Sequence, residues 1–86
     1  MIINNLYLAV IPIVHLTGST EQVMTLFPDS QFATLFHANE VDNYLNFFKN
    51  RAENYLKGGN VISYDFQKEE VPGTGMLRVK VIQHVA

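Results

Sequence analysis

The stretch Ile2–Leu16 constrains this chain most. It is rich in Ile, Val and Leu, which suit a pleated, half-buried surface, and it reads as one long strand. Its even positions carry Leu6, Leu8, Val10, Pro12 and Val14, and its odd positions carry Tyr7, Ala9, Ile11, Ile13 and His15. Successive strand residues point to opposite faces, so both faces are apolar, the pattern of a strand covered on two sides. Pro12 has no backbone donor and marks an edge, a bulge or the end of pairing.

Cover for two faces is scarce in 86 residues. One amphipathic helix is predicted, over about 39–57. Val41, Tyr44, Leu45, Phe48, Ala52, Tyr55 and Leu56 recur at three- and four-residue spacing. Asn39 is a suitable N-cap, and Glu40 and Asp42 fall in the first turn, where the helix dipole favours anions. Lys57 and Gly58-Gly59 read as the C-terminal stop.

Two further strands are predicted after the helix. Ile62, Tyr64 and Phe66 alternate with polar residues, and Leu77, Val79 and Val81 answer them across the turn Pro72-Gly73-Thr74-Gly75. Asp65 is expected to pair across this hairpin with Arg78 or Lys80. Ser19–Phe27 is read as a strand, although Ser19-Thr20-Glu21-Gln22 also fits a helix capping box. Gln31–His37 alternates too, with Phe32, Thr34 and Phe36 on one side. The two segments are expected to form a hairpin around Pro28-Asp29-Ser30.

The expected fold is therefore α+β: one main helix packed on an antiparallel-dominated sheet of three to five strands, with a C-terminal β-hairpin. A strand, a helix and a strand make a crossover, and the final strand lies between the two, antiparallel to both. This is a split β-α-β arrangement in one domain, residues 1–86.

The composition excludes several classes. Hydrophobic residues are 48% and charged residues 16%, so the chain has ample core material and is not disordered. A net charge of −2 argues against a duplex binder, which needs a basic face. With zero cysteines there is no disulfide scaffold, thiol nucleophile or thiolate metal site, which favours a reducing, cytoplasmic setting. The apolar run Leu6–Leu16 is 11 residues long, against about 20 for a membrane span, so no membrane partner is expected. Met1–Asn5 carries no side-chain charge, unlike the start of a signal peptide.

No catalytic constellation stands out. His15, His37 and His84 lack metal-ligand spacing and read as surface or rim histidines. Glu40 and Asp42 are explained by the helix start, and Glu69 and Glu70 read as solvated. Ser19, Ser30 and Ser63 have no G-x-S-x-G elbow. Catalytic residues, cofactors and metals are accordingly expected to be none.

What remains is the second apolar face of the first strand, with Tyr7, Ile11 and Ile13. An uncovered apolar patch of several hundred Å² marks an interaction site. Three covers are open, the Gln22–His37 segment, a second copy or another protein, and the chain is expected to self-associate as a homodimer and to bind another protein. The helix also presents an asparagine stripe, Asn43, Asn46, Asn50 and Asn54, which suits a partner-binding rim or reflects compositional bias.

The expected function is a small non-enzymatic protein-interaction module. By analogy of size and class it is a phage or mobile-element accessory protein, anti-CRISPR-like, that inhibits a host or defence protein by covering its surface. The alternative is a single-stranded nucleic-acid binder using Arg78 and Lys80 on the outer sheet face.

Overall fold

A computed structural model describes residues 1–56 and 60–86, with side chains for all of these except 53–56. The order of elements is β1 (Ile2–Val14), β2 (Thr20–Phe27), the 3-10 turn η1 (Ser30–Phe32), α1 (Val41–Leu56), β3 (Val61–Val71) and β4 (Met76–Val85). The strands form one antiparallel sheet in the order β2-β1-β4-β3, with α1 packed against it. β4 lies between β1 and β3, as the split arrangement requires. The fold is α+β with a C-terminal β3–β4 hairpin.

The helix side of the sheet holds the core. Leu8, Val79 and Val81 meet Val41, Leu45, Phe48 and Ala52 of α1, and Phe36 enters between them. The helical positions share one face through their three- and four-residue spacing, and the strand positions share another through alternation. Met24 and Leu26 of β2 and Tyr64 and Phe66 of β3 pack around this centre. The rings of Tyr64 and Phe66 both meet Phe48 edge-on, at 5.7 and 5.4 Å.

The Gln31–His37 strand and its hairpin around Pro28-Asp29-Ser30 do not form. β2 instead pairs with β1, from Tyr7 opposite Phe27 to Val14 opposite Thr20. The reversal is at Thr17-Gly18-Ser19, where the His15 amide donates to the Ser19 carbonyl and Gly18 takes a φ of 85°. That conformation costs glycine nothing. A hairpin this close in sequence costs little closure entropy.

The segment after β2 has another role. β1 and β4 stay paired only as far as Tyr7 opposite Lys80, and then diverge. Residues 33–37 fill the fork. The Thr34 amide donates to the Leu8 carbonyl at 3.1 Å, and the Val10 amide donates to Thr34 Oγ1 at 2.8 Å. Phe36 forms an isolated antiparallel bridge with Leu77. Extended backbone was therefore legible here, but it serves two strands at once and belongs to neither ladder.

α1 begins at Val41, two residues after the predicted Asn39 cap, and a turn over 38–40 leads into it. The His37 carbonyl accepts from the Val41 amide at 3.1 Å, and the His37 amide donates to Glu40 Oε1 at 3.2 Å. Glu40 thus reaches back as the second half of a capping box does, although His37 supplies only backbone. The predicted stop at Lys57 and Gly58-Gly59 lies outside the described residues.

Candidate protein-interaction site

The β1–β2 hairpin runs beyond the core. Val10 and Met24 are its last residues packed against the core cluster. Every residue from Ile11 to Gln22 is exposed. This distal part is an arm, and the molecule as a whole is a flat plate of 39 × 38 × 21 Å. Its radius of gyration is 13.8 Å, against about 12 Å for a compact domain of this length. A two-stranded ribbon in water is marginal by itself, so the arm depends on the sheet at its base.

The arm is apolar and nearly uncharged. Ile11 and Ile13 are each 41% exposed on the face away from the helix, and Val14 and Leu16 near the tip are more exposed still. The ionisable side chains here are His15 and Glu21, whose Nε2 and Oε2 atoms lie 3.0 Å apart.

The open face is smaller than the whole outer side of β1. Ala9 shares that face but is only 3% exposed. η1 packs against β1 there, and Phe32 sets its ring 5.3 Å from Phe27, the residue opposite Tyr7. Tyr7 is half-buried, with the Arg78 guanidinium 5.6 Å from its ring centre. The Gln22–His37 segment thus covers the base of the face and leaves Ile11 and Ile13 open. Tyr7 is separated from those two by the covered Ala9.

A second open surface lies on the helix side. Four strands spaced about 4.8 Å apart are wider than one helix of roughly 10–12 Å diameter. α1 leans toward β3, where Lys68 Nζ meets Asp42 Oδ1 at 2.9 Å and Lys49 sits 5.4 Å from the Phe66 ring centre. The β2 side is left as a cleft of about 440 Å³, lined by Gln22, Met24, Asn43, Tyr44 and Phe47. Arg51 covers the Phe47 ring at 4.2 Å. The cleft depends on where the helix sits across the sheet, and no periodicity in the sequence signals that.

The asparagine stripe divides accordingly. Asn43, Asn46 and Asn50 are exposed, and Asn43 reaches the cleft rim. The Asn54 side chain lies outside the described residues.

The charged outer face of β3 and β4 is internally paired. Glu69 accepts from Arg78 Nε at 3.1 Å, and Asp65 lies 2.7 Å from His84 Nε2. The predicted partner of Asp65, Arg78 or Lys80, is replaced because Asp65 stands opposite Ile82, one diagonal step from His84. Lys80 is half-buried opposite Gln67 and Tyr7. Arg78 and Lys80 therefore share a face, with Arg78 engaged by Glu69 and by the Tyr7 ring.

The histidines are dispersed: His15 at the arm, His37 at the helix start and His84 beside β3. Among the described residues, no group of three or more His, Asp or Glu is placed to hold a metal ion. No helix among them is long and apolar enough to cross a membrane.

The fold and its surfaces define a small α+β protein with a projecting apolar arm. Compared with known proteins, the chain matches no protein-family model, no curated protein and no solved structure.

Proposed function

We propose that the chain is a non-enzymatic protein-interaction module whose contact surface is the outer face of the arm, centred on Ile11 and Ile13. The partner is a protein that offers a complementary apolar surface, and binding acts by covering that surface. In this reading the chain is an accessory protein that inhibits its partner, of the kind that phages and mobile elements carry.

The observation that supports the reading most directly is the exposure of Ile11 and Ile13 beside Val14 and Leu16 on an arm that extends past the core. Solvent-exposed ribbons of this composition carry an aggregation hazard unless a partner covers them. The near-absence of charge along the arm favours an apolar contact over an electrostatically steered one.

The test uses Ile11→Lys and Ile13→Lys. Both side chains lie outside the core cluster, so each variant is expected to fold with a nearly unchanged melting curve. A protein captured by the wild type from the source cell should bind each variant at least tenfold more weakly in titration calorimetry. Unfolding of both variants, or full retention of binding, overturns the assignment.

A further inference from the structure

We propose that the chain forms a two-fold symmetric dimer by pairing β2 antiparallel with β2 of a second copy, giving one continuous sheet of eight strands. This goes beyond the partner proposed for the arm and does not depend on it.

The two edges of the sheet are unlike. β3 is guarded as exposed edges usually are: it carries Asp65, Lys68, Glu69 and Glu70, and its register shifts between Val61 and Ser63. Charges and irregular register both discourage a further strand. β2, the other edge, is Thr-Glu-Gln-Val-Met-Thr-Leu-Phe, with one charge and no proline.

The direction of its backbone groups follows from the fork. Leu8 and Val10 direct their carbonyl and amide to Thr34, away from β2. The odd residues of β1 therefore face β2 and exchange hydrogen bonds with Glu21, Val23, Thr25 and Phe27. Thr20, Gln22, Met24 and Leu26 are left pointing outward, each with one donor and one acceptor. The same parity places Pro12 of β1 with its missing amide on the fork side, so it costs the ladder nothing.

The surface area supports a second copy. A compact monomer of 9.8 kDa exposes about 5,200 Å², whereas this chain exposes 5777 Å². The excess is roughly 600 Å² per chain, an open surface of the size that a stable two-chain interface of at least about 1,200 Å² would need from each copy.

One register matches every outward residue of β2 with another. With Val23 opposite Val23 of the second copy, Gln22 pairs with Met24 and Thr20 with Leu26, in both directions. All four outward residues are then matched. Glu21 stands opposite Thr25, which keeps the two carboxylates apart. A shift that sets Met24 opposite itself puts Thr20 against Pro28, which has no donor. In the matched register both helices lie on one side of the joined sheet. On the other side Ile11 and Val23 of each copy form one apolar row across the two-fold axis, since Ile11 is opposite Val23 within each hairpin.

The chain has no cysteine, so single-cysteine cross-linking is unambiguous. In the proposed register the paired Val23 Cα atoms are about 4.5 Å apart, within disulfide span. Val23→Cys is expected to cross-link under mild oxidation. Glu21→Cys, roughly 14 Å along the strand from its mate, is not. Light scattering of the wild type across a concentration series should reach twice 9.8 kDa. Gln22→Pro removes an outward amide and should return the mass to that of one chain with an unchanged far-ultraviolet dichroism spectrum. Ile11→Lys should keep the dimer mass, which separates this proposal from the one for the arm's partner. A wild type that stays monomeric at the highest attainable concentration overturns the dimer. A dimer in which Glu21→Cys cross-links and Val23→Cys does not overturns the register and the edge.

Discussion

Phe36 and Leu77 exchange both backbone hydrogen bonds, at 2.7 and 2.9 Å, in the fork where β1 and β4 part. The Phe36 side chain is 1% exposed and is the largest that is fully buried among the described residues. Its ring lies 5.0 Å from that of Tyr44. One residue outside any regular element thus ties the two halves of the sheet to the helix.

Phe36→Ala should therefore cost about 3–5 kcal/mol, the loss of a buried ring plus the cavity it leaves. For a domain of this size each kcal/mol shifts the thermal midpoint by roughly 4–8 °C, so a fall of more than about 10 °C is expected. Phe36→Leu keeps most of the volume and should cost much less. Equal midpoints for Phe36→Ala and the wild type, measured by calorimetry, would show that the fork is not a structural centre.

Thr34 holds the same fork by its hydroxyl. Thr34→Val keeps the shape and removes the acceptor of the Val10 amide, which lies 2.8 Å away. Leaving a half-buried donor unmatched costs about 1–3 kcal/mol. Amide hydrogen exchange should accelerate at Val10. It should accelerate less at Ala9, whose amide faces Thr25 in the β1–β2 ladder. Uniform acceleration along β1 would instead indicate global destabilisation.

The difference between readable and unreadable parts has a physical basis. α1 and the β3–β4 hairpin repeat one environment along one element, so their periodicity survives in the residues. β1 also announced its two apolar faces, and Ile11 and Ile13 are indeed left open. Thr34 and Phe36 misled because alternation reports an extended backbone, not which strand it bonds. The helix starts later than Asn39 because the turn before it is held by backbone bonds to the His37 carbonyl, which leave no mark on residue choice. The cleft beside Phe47 was illegible for a third reason: it arises from the lateral position of α1 on the sheet, to which many residues contribute weakly.

Glu40 tests the helix start directly. Glu40→Ala removes the carboxylate that accepts from the His37 amide and should cost about 0.5–2 kcal/mol, in the range of lost caps. Glu40→Gln keeps an acceptor oxygen and should recover most of this in urea denaturation. Equal losses for the two variants would point to charge at the helix dipole as the source, since both remove it.

The ion pairs on the two faces of β3 should differ in worth. Lys68 and Asp42 meet at 2.9 Å with side chains 46% and 69% exposed, so water screens them and a double-mutant cycle should give no more than about 0.5 kcal/mol. Arg78 and Glu69 meet at 3.1 Å with side chains 32% and 31% exposed. Arg78 also lies over the Tyr7 ring, which adds a cation–π contact and fixes the guanidinium between two neighbours. Its coupling to Glu69 should reach about 1 kcal/mol, because less water competes and less side-chain entropy remains to be lost. Raising the salt concentration should abolish the first coupling and only reduce the second. The opposite ranking would mean that the outer face of β3 and β4 is more hydrated than its contacts imply.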